Sequence, residues 1–385
     1  MHDALFYLAA ATVVFLLAMT AELVLGGRKL RRMADVALPA PGELPTLSVV
    51  IAARNEERNL EEALRSVLAL RWEGGAEVIV VDDRSTDATG AILDRMAATA
   101  RRLRVVHVAE LPAGWLGKNH ALWHGAQEAR GELLLFTDAD VVMEPTAVQR
   151  AAAHLVRGGF DHVTAGPDVL MPGMLLRTFG VVFAVFFSLF SRPWKAADPR
   201  SRFHIGIGAF NLVRARAYRE MGTHRAIAMR PDDDMKLGKL VKKHGFRQDF
   251  LIGAGMVSVE WYASLRELVN GLKKNGFAGV DYRLSMVWLA TVAHTLLFVW
   301  PFVALFATHG WTRGLNAAAV AIILVVFAGA ARETRVPPWY GVIFPAAVLL
   351  FLYVVWNSTL ATLLGGGIEW RGTHYPLAEL KANRI

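Results

Sequence analysis

The chain has 385 residues, which is enough for two or three domains and for a core of the size that an enzyme needs. Hydrophobic residues make up 54% and charged residues 20%, a composition that excludes a disordered protein and argues against a purely soluble one. Its 42 Lys and Arg against 34 Asp and Glu leave a net charge of +8, which suits an anionic membrane surface or a phosphorylated substrate as well as nucleic acid. The absence of cysteine excludes disulfides, thiolate catalysis and cysteine-ligated metal centres, so carboxylates and imidazoles must hold any metal.

Residues 1–27 predict an N-terminal transmembrane helix. From Ala4 to Leu25 nearly every residue is apolar, a length that crosses a hydrocarbon core of roughly 30 Å. A basic cluster between Arg28 and Arg32 follows this run, whereas a signal peptide carries its positive charge before the apolar residues. The positive-inside rule then places the amino terminus outside and residue 28 onward in the cytoplasm.

Composition divides the rest of the chain into four segments: a basic, Pro-rich linker (28–46), an α/β domain (47–282), a C-terminal transmembrane region of two or three helices (283–366) and a tail (367–385). Inside the α/β domain, the apolar stretch Phe179 to Phe190 is too short to span a bilayer. Its basic and aromatic flanks predict an interfacial helix near 175–195, with a buried core helix as the alternative. The amphipathic basic segment 261–280 predicts a second interfacial helix.

The α/β domain alternates strands with helices, which indicates a mostly parallel sheet. Apolar strands are predicted at Ser48 to Ala52, from Glu77, at Arg104 to Val108 and from Glu132. Two of them end in carboxylates. Because ligands of such sheets bind beyond the carboxyl ends of the strands, these acidic residues are site candidates. They are Asp82, Asp83, Asp138 and Asp140.

The sequence Asp138-Ala139-Asp140 predicts a divalent metal site. Alternate residues leaving a strand turn two carboxylates toward one point, and hard oxygen ligands together with a diphosphate suit Mg²⁺ or Mn²⁺. The alternative is a polar loop after a buried strand. A second acidic strand end in the same domain favours the metal site.

Several motifs, in order along residues 47 to 280, resemble those of the family 2 glycosyltransferases, which have the GT-A fold, a Rossmann-like α/β fold. Four of them carry the family resemblance: VIAARNEE (Val50 to Glu57), VVDDRSTDAT (Val80 to Thr89), TDAD (Thr137 to Asp140) and PDDDMKLGKLVKKHG (Pro231 to Gly245). Two more, GWLGKNHAL (Gly114 to Leu122) and GIGAFNLVRARAY (Gly206 to Tyr218), are typical of membrane-bound members that modify lipids. Such sequences include hopanoid-associated, carotenoid and ceramide-type sugar transferases.

The resemblance implies a role for each matching position. Asp83 would accept a hydrogen bond from the nucleotide base, and Asp138 and Asp140 would hold the diphosphate through the metal. The remaining nucleotide-sugar candidates are Ala53, Asn55, Glu57, Asp82 and Lys118. A solvated loop lysine is the alternative for Lys118.

The same resemblance implies an inverting reaction with a carboxylate base. Aligning Leu237-Gly238 with the family's Leu-Gly places Asp234 at the catalytic aspartate and Asp233 at the preceding acidic residue. Asp232 is interpreted as a charge that complements the dipole of the following helix. The QxxRW string of processive synthases is absent from the sequence, which favours single sugar transfer and leaves the acceptor contacts open. His204, Gly208, Trp261 and Lys274 are the acceptor candidates.

These patterns predict a multi-pass enzyme of the inner membrane with a cytoplasmic catalytic domain. It would move one sugar from a nucleotide-sugar, with UDP favoured, to a lipid acceptor, and it would have no nucleic-acid partner. The alternatives are a processive polysaccharide synthase and a catalytically silent scaffold that binds a nucleotide or a lipid. Neither the sugar nor the lipid has a recognisable sequence signature.

Overall fold

The computed structural model describes residues 2–385, which form two compact units. The α/β unit comprises Leu30–Val169, Arg192–Glu260 and Ala378–Ile385, and the helical unit comprises residues 2–29, Leu170–Ser191 and Trp261–Leu377. The strands are β1 (Arg31–Arg32), β2 (Leu47–Ala53), β3 (Ala76–Asp83), β4 (Leu103–Val108), β5 (Leu133–Asp138), β6 (Val141–Met143), β7 (His162–Gly166), β8 (Asp168–Leu170), β9 (Asn211–Arg214), β10 (Gln248–Ile252), β11 (Val257–Glu260), β12 (Gly367–Trp370) and β13 (Thr373–Pro376). The α-helices are α1 (His2–Gly27), α2 (Leu60–Leu68), α3 (Thr89–Ala97), α4 (Gly117–Glu128), α5 (Ala147–Gly158), α6 (Met174–Ser191), α7 (Ala215–Glu220), α8 (Asp233–Lys243), α9 (Leu265–Leu272), α10 (Leu284–His294), α11 (Trp300–Ala307), α12 (Gly310–Glu333), α13 (Phe344–Leu364) and α14 (Leu377–Ala382).

The α/β unit is built on an eight-stranded sheet in the order β1-β10-β7-β9-β5-β2-β3-β4. All neighbours are parallel except β9, which runs antiparallel to β5 and to β7. The predicted mostly parallel α/β fold is therefore confirmed. Pairing sets Ala53 opposite Asp82 and Ala52 opposite Asp138, so the acidic ends of β3 and β5 flank the end of β2.

Two apolar layers bury the sheet. Successive residues of β2 face opposite sides, as the alternation of a strand requires, so Val49 and Ile51 belong to one cluster and Val50 to the other. Helices α2, α3 and α5 cover the first side, and α4, α7 and α8 cover the second. Because both faces are covered, the central strands are apolar throughout, and polar residues are concentrated at the strand ends.

The segment 28–46 is not the linker that its composition predicted. Arg31 pairs with Leu251 at the edge of the sheet, and the Met33 side chain is fully buried in the core. Farther along, Glu43 accepts hydrogen bonds from Arg157 of α5. From residue 30 onward the segment packs on the α/β unit. Its proline and arginine content gives no sign of this packing, because only its few apolar side chains are buried.

The helical unit contains the apolar segments. Five helices among the described residues are long and apolar enough to cross a membrane: Asp3–Gly27, Met174–Lys195, Leu284–Ala307, Gly310–Glu333 and Pro338–Leu364. The expectation that the stretch around Phe179 is too short was wrong, because the helix begins at Met174 and the apolar segment runs for 22 residues. The predicted segment 261–280 forms only the short helix α9, where the Ser264 side chain accepts a hydrogen bond from the backbone N–H of Glu267.

Candidate active site

One lysine and three carboxylates converge at the carboxyl edge of the sheet. Asp138 ends β5, Asp233 and Asp234 open α8, and Lys118 lies in the first turn of α4. The Lys118 Nζ is 2.6 Å from Asp138 Oδ1 and 3.6 Å from Asp233 Oδ2. The alternative of a solvated loop lysine is therefore excluded, because this ammonium lies between two acidic motifs that are far apart in the sequence.

These side chains line a small cavity. Its wall combines the acidic edge with an apolar floor from α4 and α8. The lining residues are Lys118, Leu122, Phe136, Thr137, Asp138, Gly208, Asn211, His224, Asp233, Asp234 and Leu237. A concave site with convergent charged groups and an apolar base is the usual form of a small-molecule site.

Gly208 connects the two acidic motifs through its backbone. Its N–H donates a 2.9 Å hydrogen bond to Asp234 Oδ2, and a Cβ at this position would lie 2.7 Å from Asp138 Oδ2. Nearby, a Cβ on Gly206 would lie 1.9 Å from the Asp234 carbonyl oxygen. Both glycines are needed because the loop before β9 passes directly against the carboxylates and the start of α8.

The protonation of this cluster departs from that of exposed groups. Burial, and then the neighbouring Asp233, raise the pKa of Asp234 to about 7. Burial acts to lower the pKa of Lys118, but the carboxylates of Asp138, Asp233 and Asp234 raise it well above its usual range. At neutral pH the site therefore holds a permanent cation and a carboxylate that can both accept and release a proton.

Asp140 is the second candidate metal ligand, and its surroundings favour the neutral carboxyl. Burial, followed by the charges of Asp138 and Glu56, raises its pKa to about 7. A divalent cation would favour its ionised form, because opposite charge lowers the pKa of a carboxyl. Within residues 2–385 no group of three or more His, Asp or Glu side chains is arranged to hold a metal. Two carboxylates that share their ion with substrate oxygens match what Mg²⁺ and Mn²⁺ accept.

Asp83 is buried, and a guanidinium is bound to it. Arg84 donates hydrogen bonds of 2.8 and 2.9 Å to its two oxygens, and Arg54 Nη1 lies 3.6 Å away. Arg84 adopts a φ of 57°, in the left-handed region that favours glycine. A base that reaches Asp83 would therefore meet an Asp83–Arg84 pair.

The other predicted nucleotide residues mostly connect loops. Asn55 Oδ1 accepts a hydrogen bond from the backbone of Thr86 at 2.8 Å, and Glu57 Oε2 accepts one from Ala88 at 2.9 Å. Asp82 accepts from the backbone of Ser85 and lies 2.9 Å from a ring nitrogen of His107.

Ala53 is buried at the end of β2, so its side chain belongs to the core. Of the nucleotide candidates, Lys118 and Asp138 line the cavity, whereas Asp83 is paired with Arg84 and Arg54.

The acceptor candidates divide between the two units. Gly208 lines the cavity, whereas His204 does not: its Nδ1 lies 3.3 Å from the Arg202 carbonyl oxygen, and burial lowers its pKa. Trp261 and Lys274 belong to the helical unit. The ring centroids of Trp261 and Phe183 are 4.9 Å apart. Lys274 Nζ lies 4.1 Å from the centroid of the Trp370 ring.

Sequence reasoning missed two polar residues of the cavity wall. His224 is buried, its Nδ1 lies 2.8 Å from the Tyr218 hydroxyl, and burial lowers its pKa to about 3, so it is neutral. Asn211 donates a hydrogen bond to the Ile207 carbonyl and accepts one from the Ile207 N–H, which holds the Gly208 loop. The GIGAFN string carried a signal for Asn211, whereas nothing in the sequence around His224 indicated a site.

Comparisons with known proteins find relatives among glycosyltransferases. The family model described as glycosyl transferase family 2 matches residues 48–222. A 4,4'-diaponeurosporenoate glycosyltransferase of Staphylococcus aureus (strain MRSA252) is 22% identical over 86% of this chain and 89% of its own. The "probable glycosyltransferase YdaM" of Bacillus subtilis (strain 168) is 34% identical over 33% of this chain and 29% of its own.

Among solved structures, a mannosyltransferase from Pyrobaculum calidifontis in complex with GDP-Man and Mn²⁺ superposes with a TM-score of 0.53 and 17% identity. It covers 91% of this chain and 99% of its own. That likeness shows a shared GT-A fold. The extent of the sequence matches varies, since the aligned region spans 29% of YdaM and 62% of a second diaponeurosporenoate glycosyltransferase, from Staphylococcus haemolyticus (strain JCSC1435).

Proposed function

We propose that this chain, whose residues 48–222 match the family model described as glycosyl transferase family 2, transfers a single sugar from a nucleotide-sugar to a lipid acceptor with inversion at the anomeric carbon. The observation that carries the proposal is the cavity in which Lys118, Asp138, Asp233 and Asp234 meet around the backbone of Gly208. It offers a cation for a diphosphate, carboxylates for a metal and a separate carboxylate with a raised pKa for a proton.

The donor end is formed by the strand-end carboxylates. Asp138 and Asp140 would hold Mg²⁺ or Mn²⁺, and the bound ion would neutralise charge that develops on the departing diphosphate. Lys118, whose ammonium lies 2.6 Å from Asp138, would supply positive charge to the same diphosphate. Mn²⁺ and GDP-Man occur together in the mannosyltransferase of similar fold, which supports a nucleoside diphosphate donor. We predict that the nucleotide of the donor is UDP.

The acceptor end is Asp234. In an inverting transfer the acceptor hydroxyl oxygen bonds to the anomeric carbon as the bond from that carbon to the diphosphate oxygen breaks, and the hydroxyl proton passes to a base. A carboxylate with a pKa of about 7 retains affinity for that proton at neutral pH. The Gly208 N–H fixes Asp234 Oδ2, and Asp233 is directed to Lys118, which separates the roles of the two neighbouring acids.

A lipid acceptor is supported by the helical unit and by the relatives. Relatives named 4,4'-diaponeurosporenoate glycosyltransferases act, by that name, on 4,4'-diaponeurosporenoate. In this chain Phe179, Phe183 and Phe187 of α6 form an aromatic row, and Trp261 packs beside Phe183. Aromatic and apolar side chains with basic neighbours such as Lys274 suit a lipid chain and its headgroup layer.

The α/β unit constrains the membrane topology. β7 and β9 are neighbours in one sheet, yet α6 lies between them in sequence, so a single crossing by α6 would split the sheet across the membrane. Asn383 hydrogen-bonds Ala226 and Met229 of the same unit. We therefore propose that α6 lies in the interface and that an even number of the three C-terminal apolar helices cross. The basic segment after α1 supports an inner-membrane protein whose α/β unit lies on the cytoplasmic side.

Two measurements test the proposed function. Mass spectrometry of lipids from cells with and without the gene should reveal a glycolipid that depends on the gene. Purified protein with a panel of UDP- and GDP-sugars should release nucleoside diphosphate only when Mg²⁺ or Mn²⁺ and the extracted lipid are present. A repeating polymer as product would establish processive synthesis instead, and nucleotide binding without turnover on any acceptor would establish a silent scaffold.

A further inference from the structure

The loop that leads into the acidic pair has an unusual set of contacts. Residues 226–232 comprise the end of a short 3₁₀ helix (His224–Ile227) and the segment that connects it to α8, and side chains from remote segments bind their backbone. The buried Asn119 Nδ2 donates to the carbonyl oxygens of Ile227, Ala228 and Arg230 at 2.8, 3.1 and 2.9 Å. Asn119 directly follows Lys118, so one helix turn supports both the cation of the site and this loop.

The C-terminal segment holds the same loop from a second direction. Asn383 Nδ2 donates to the Ala226 carbonyl at 3.0 Å, and Asn383 Oδ1 accepts from the Met229 N–H at 3.0 Å. Ile385 packs on the apolar cluster that includes Ile227. The two loop contacts of Asn383 join positions 157 and 154 residues apart in the chain.

The held loop is directly connected to the acids. The Arg230 side chain, 3% exposed, donates hydrogen bonds of 2.9 and 3.0 Å to the two oxygens of Asp232. The next two residues are Asp233 and Asp234. A shift of the loop therefore moves both carboxylates, and a misplacement of about 1 Å in an active site can cost about 100-fold in rate.

We propose that Asn383 is a positioning residue that holds the Ala226–Arg230 loop and thereby fixes Asp233 and Asp234 in their productive geometry. The inference rests on the proposed function of that acidic pair. A side-chain amide suits this task because it supplies one donor and one acceptor to two backbone groups of opposite polarity. Alanine would leave a backbone N–H and a carbonyl of the loop without these partners, which favours a different loop conformation.

The test uses the full-length protein with Asn383→Ala. We expect the turnover number per nucleotide-binding site to fall by about 10- to 100-fold. The Kd for the nucleoside diphosphate UDP, measured in the presence of Mn²⁺, should change less than about 2-fold. Counting sites by nucleotide titration removes any effect of a smaller folded fraction. Hydrogen exchange should accelerate at the amides of residues 226–230 and stay unchanged in β2 and β3.

Two matched variants control for stability. Lys381→Ala removes an exposed neighbour and should behave like wild type, whereas Leu380→Ala removes a fully buried side chain of the same segment. If Leu380→Ala lowers the melting temperature as much as Asn383→Ala does but keeps its turnover per site, positioning is supported. Equal turnover losses in these two variants, or an unchanged turnover per site in Asn383→Ala, would overturn it.

A separate outcome concerns the proposed function itself. If the wild-type protein transfers no sugar from any donor, the function fails, and hydrogen exchange then decides the structural part of the inference. Unchanged exchange at residues 226–230 in Asn383→Ala refutes the contact in solution. Faster exchange confined to this loop supports the holding role, whatever the chemistry.

Discussion

Replacing Asp234 with asparagine tests the assignment of the base most directly. Asparagine has the shape of the neutral carboxyl but cannot accept the proton, and loss of a general base typically costs about 10² to 10⁴ in rate. We expect Asp234→Asn to lose turnover by this factor while binding nucleotide and Mn²⁺ as the wild type does. Asp233→Asn is the matched control, since Asp233 faces Lys118 at 3.6 Å.

The raised pKa of Asp234 gives this variant a second signature. A rise from 3.8 to about 7 corresponds to a cost of at most about 4 kcal/mol for the ionised form in the folded state. The neutral form therefore stabilises the fold below about pH 4, and this contribution is lost as the pH rises through 7. Asp234→Asn should accordingly melt at a higher temperature than wild type at pH 8, and the difference should shrink toward pH 5.

The assay is release of nucleoside diphosphate from the donor, with a melting curve at each pH. For wild type, kcat/KM should fall as the pH drops below 7, with a slope that approaches 10-fold per pH unit, because Asp234 must be ionised to act as the base. If kcat/KM of the wild type fell only near pH 4, the raised pKa of Asp234 would be refuted. Substantial activity in Asp234→Asn with none in Asp233→Asn would move the base by one residue, and activity in both would refute the inverting mechanism.

Three further predictions concern metal, loop and lipid, and a fourth concerns topology. Asp140→Ala should weaken Mn²⁺-dependent nucleotide binding at least 10-fold in calorimetry, with metal-free binding unchanged. Gly208→Ala should lower kcat at least 10-fold, since its Cβ would meet a carboxylate oxygen at 2.7 Å; wild-type kinetics would contradict the observed loop. Lys274→Glu should lower activity on lipid more than nucleotide affinity, whereas Lys274→Arg keeps the cation over the indole ring; equal losses would argue against a lipid contact. Reporters at residues 40 and 385 should both report the cytoplasm, and opposite signals would refute the topology.

Local sequence patterns were sufficient for four strands of the central sheet, β2 to β5. Uninterrupted apolar runs ending in Asp82 and Asp138 predicted parallel strands whose ends meet at one edge, and pairing opposite Ala53 and Ala52 has this effect. The same patterns predicted the helix of residues 1–27, because both sheet burial and membrane burial require apolar residues in unbroken series. In these regions composition along a short window determines the structure.

Composition was less informative where few residues determine the packing. The segment 28–46 read as a linker, since its fold depends on single buried side chains such as Met33. The apolar stretch around Phe179 was predicted to be too short to span a bilayer, because the first turn of its helix, from Met174, contains Arg177. A charge at a helix end lowers the apparent apolar length without ending the helix, because a long basic side chain reaches toward the interface.

The sequence by itself determined which residue types carry the chemistry: strand-end carboxylates, a glycine-rich loop and an acidic helix start. Only the tertiary structure decided which of them meet. Lys118 joins Asp138 to Asp233, and Gly208 joins Asp138 to Asp234, across separations that no local pattern encodes. Such contacts form because the strands are paired in one register and both faces of the sheet are covered by helices, and this placement depends on the packing of the whole α/β unit.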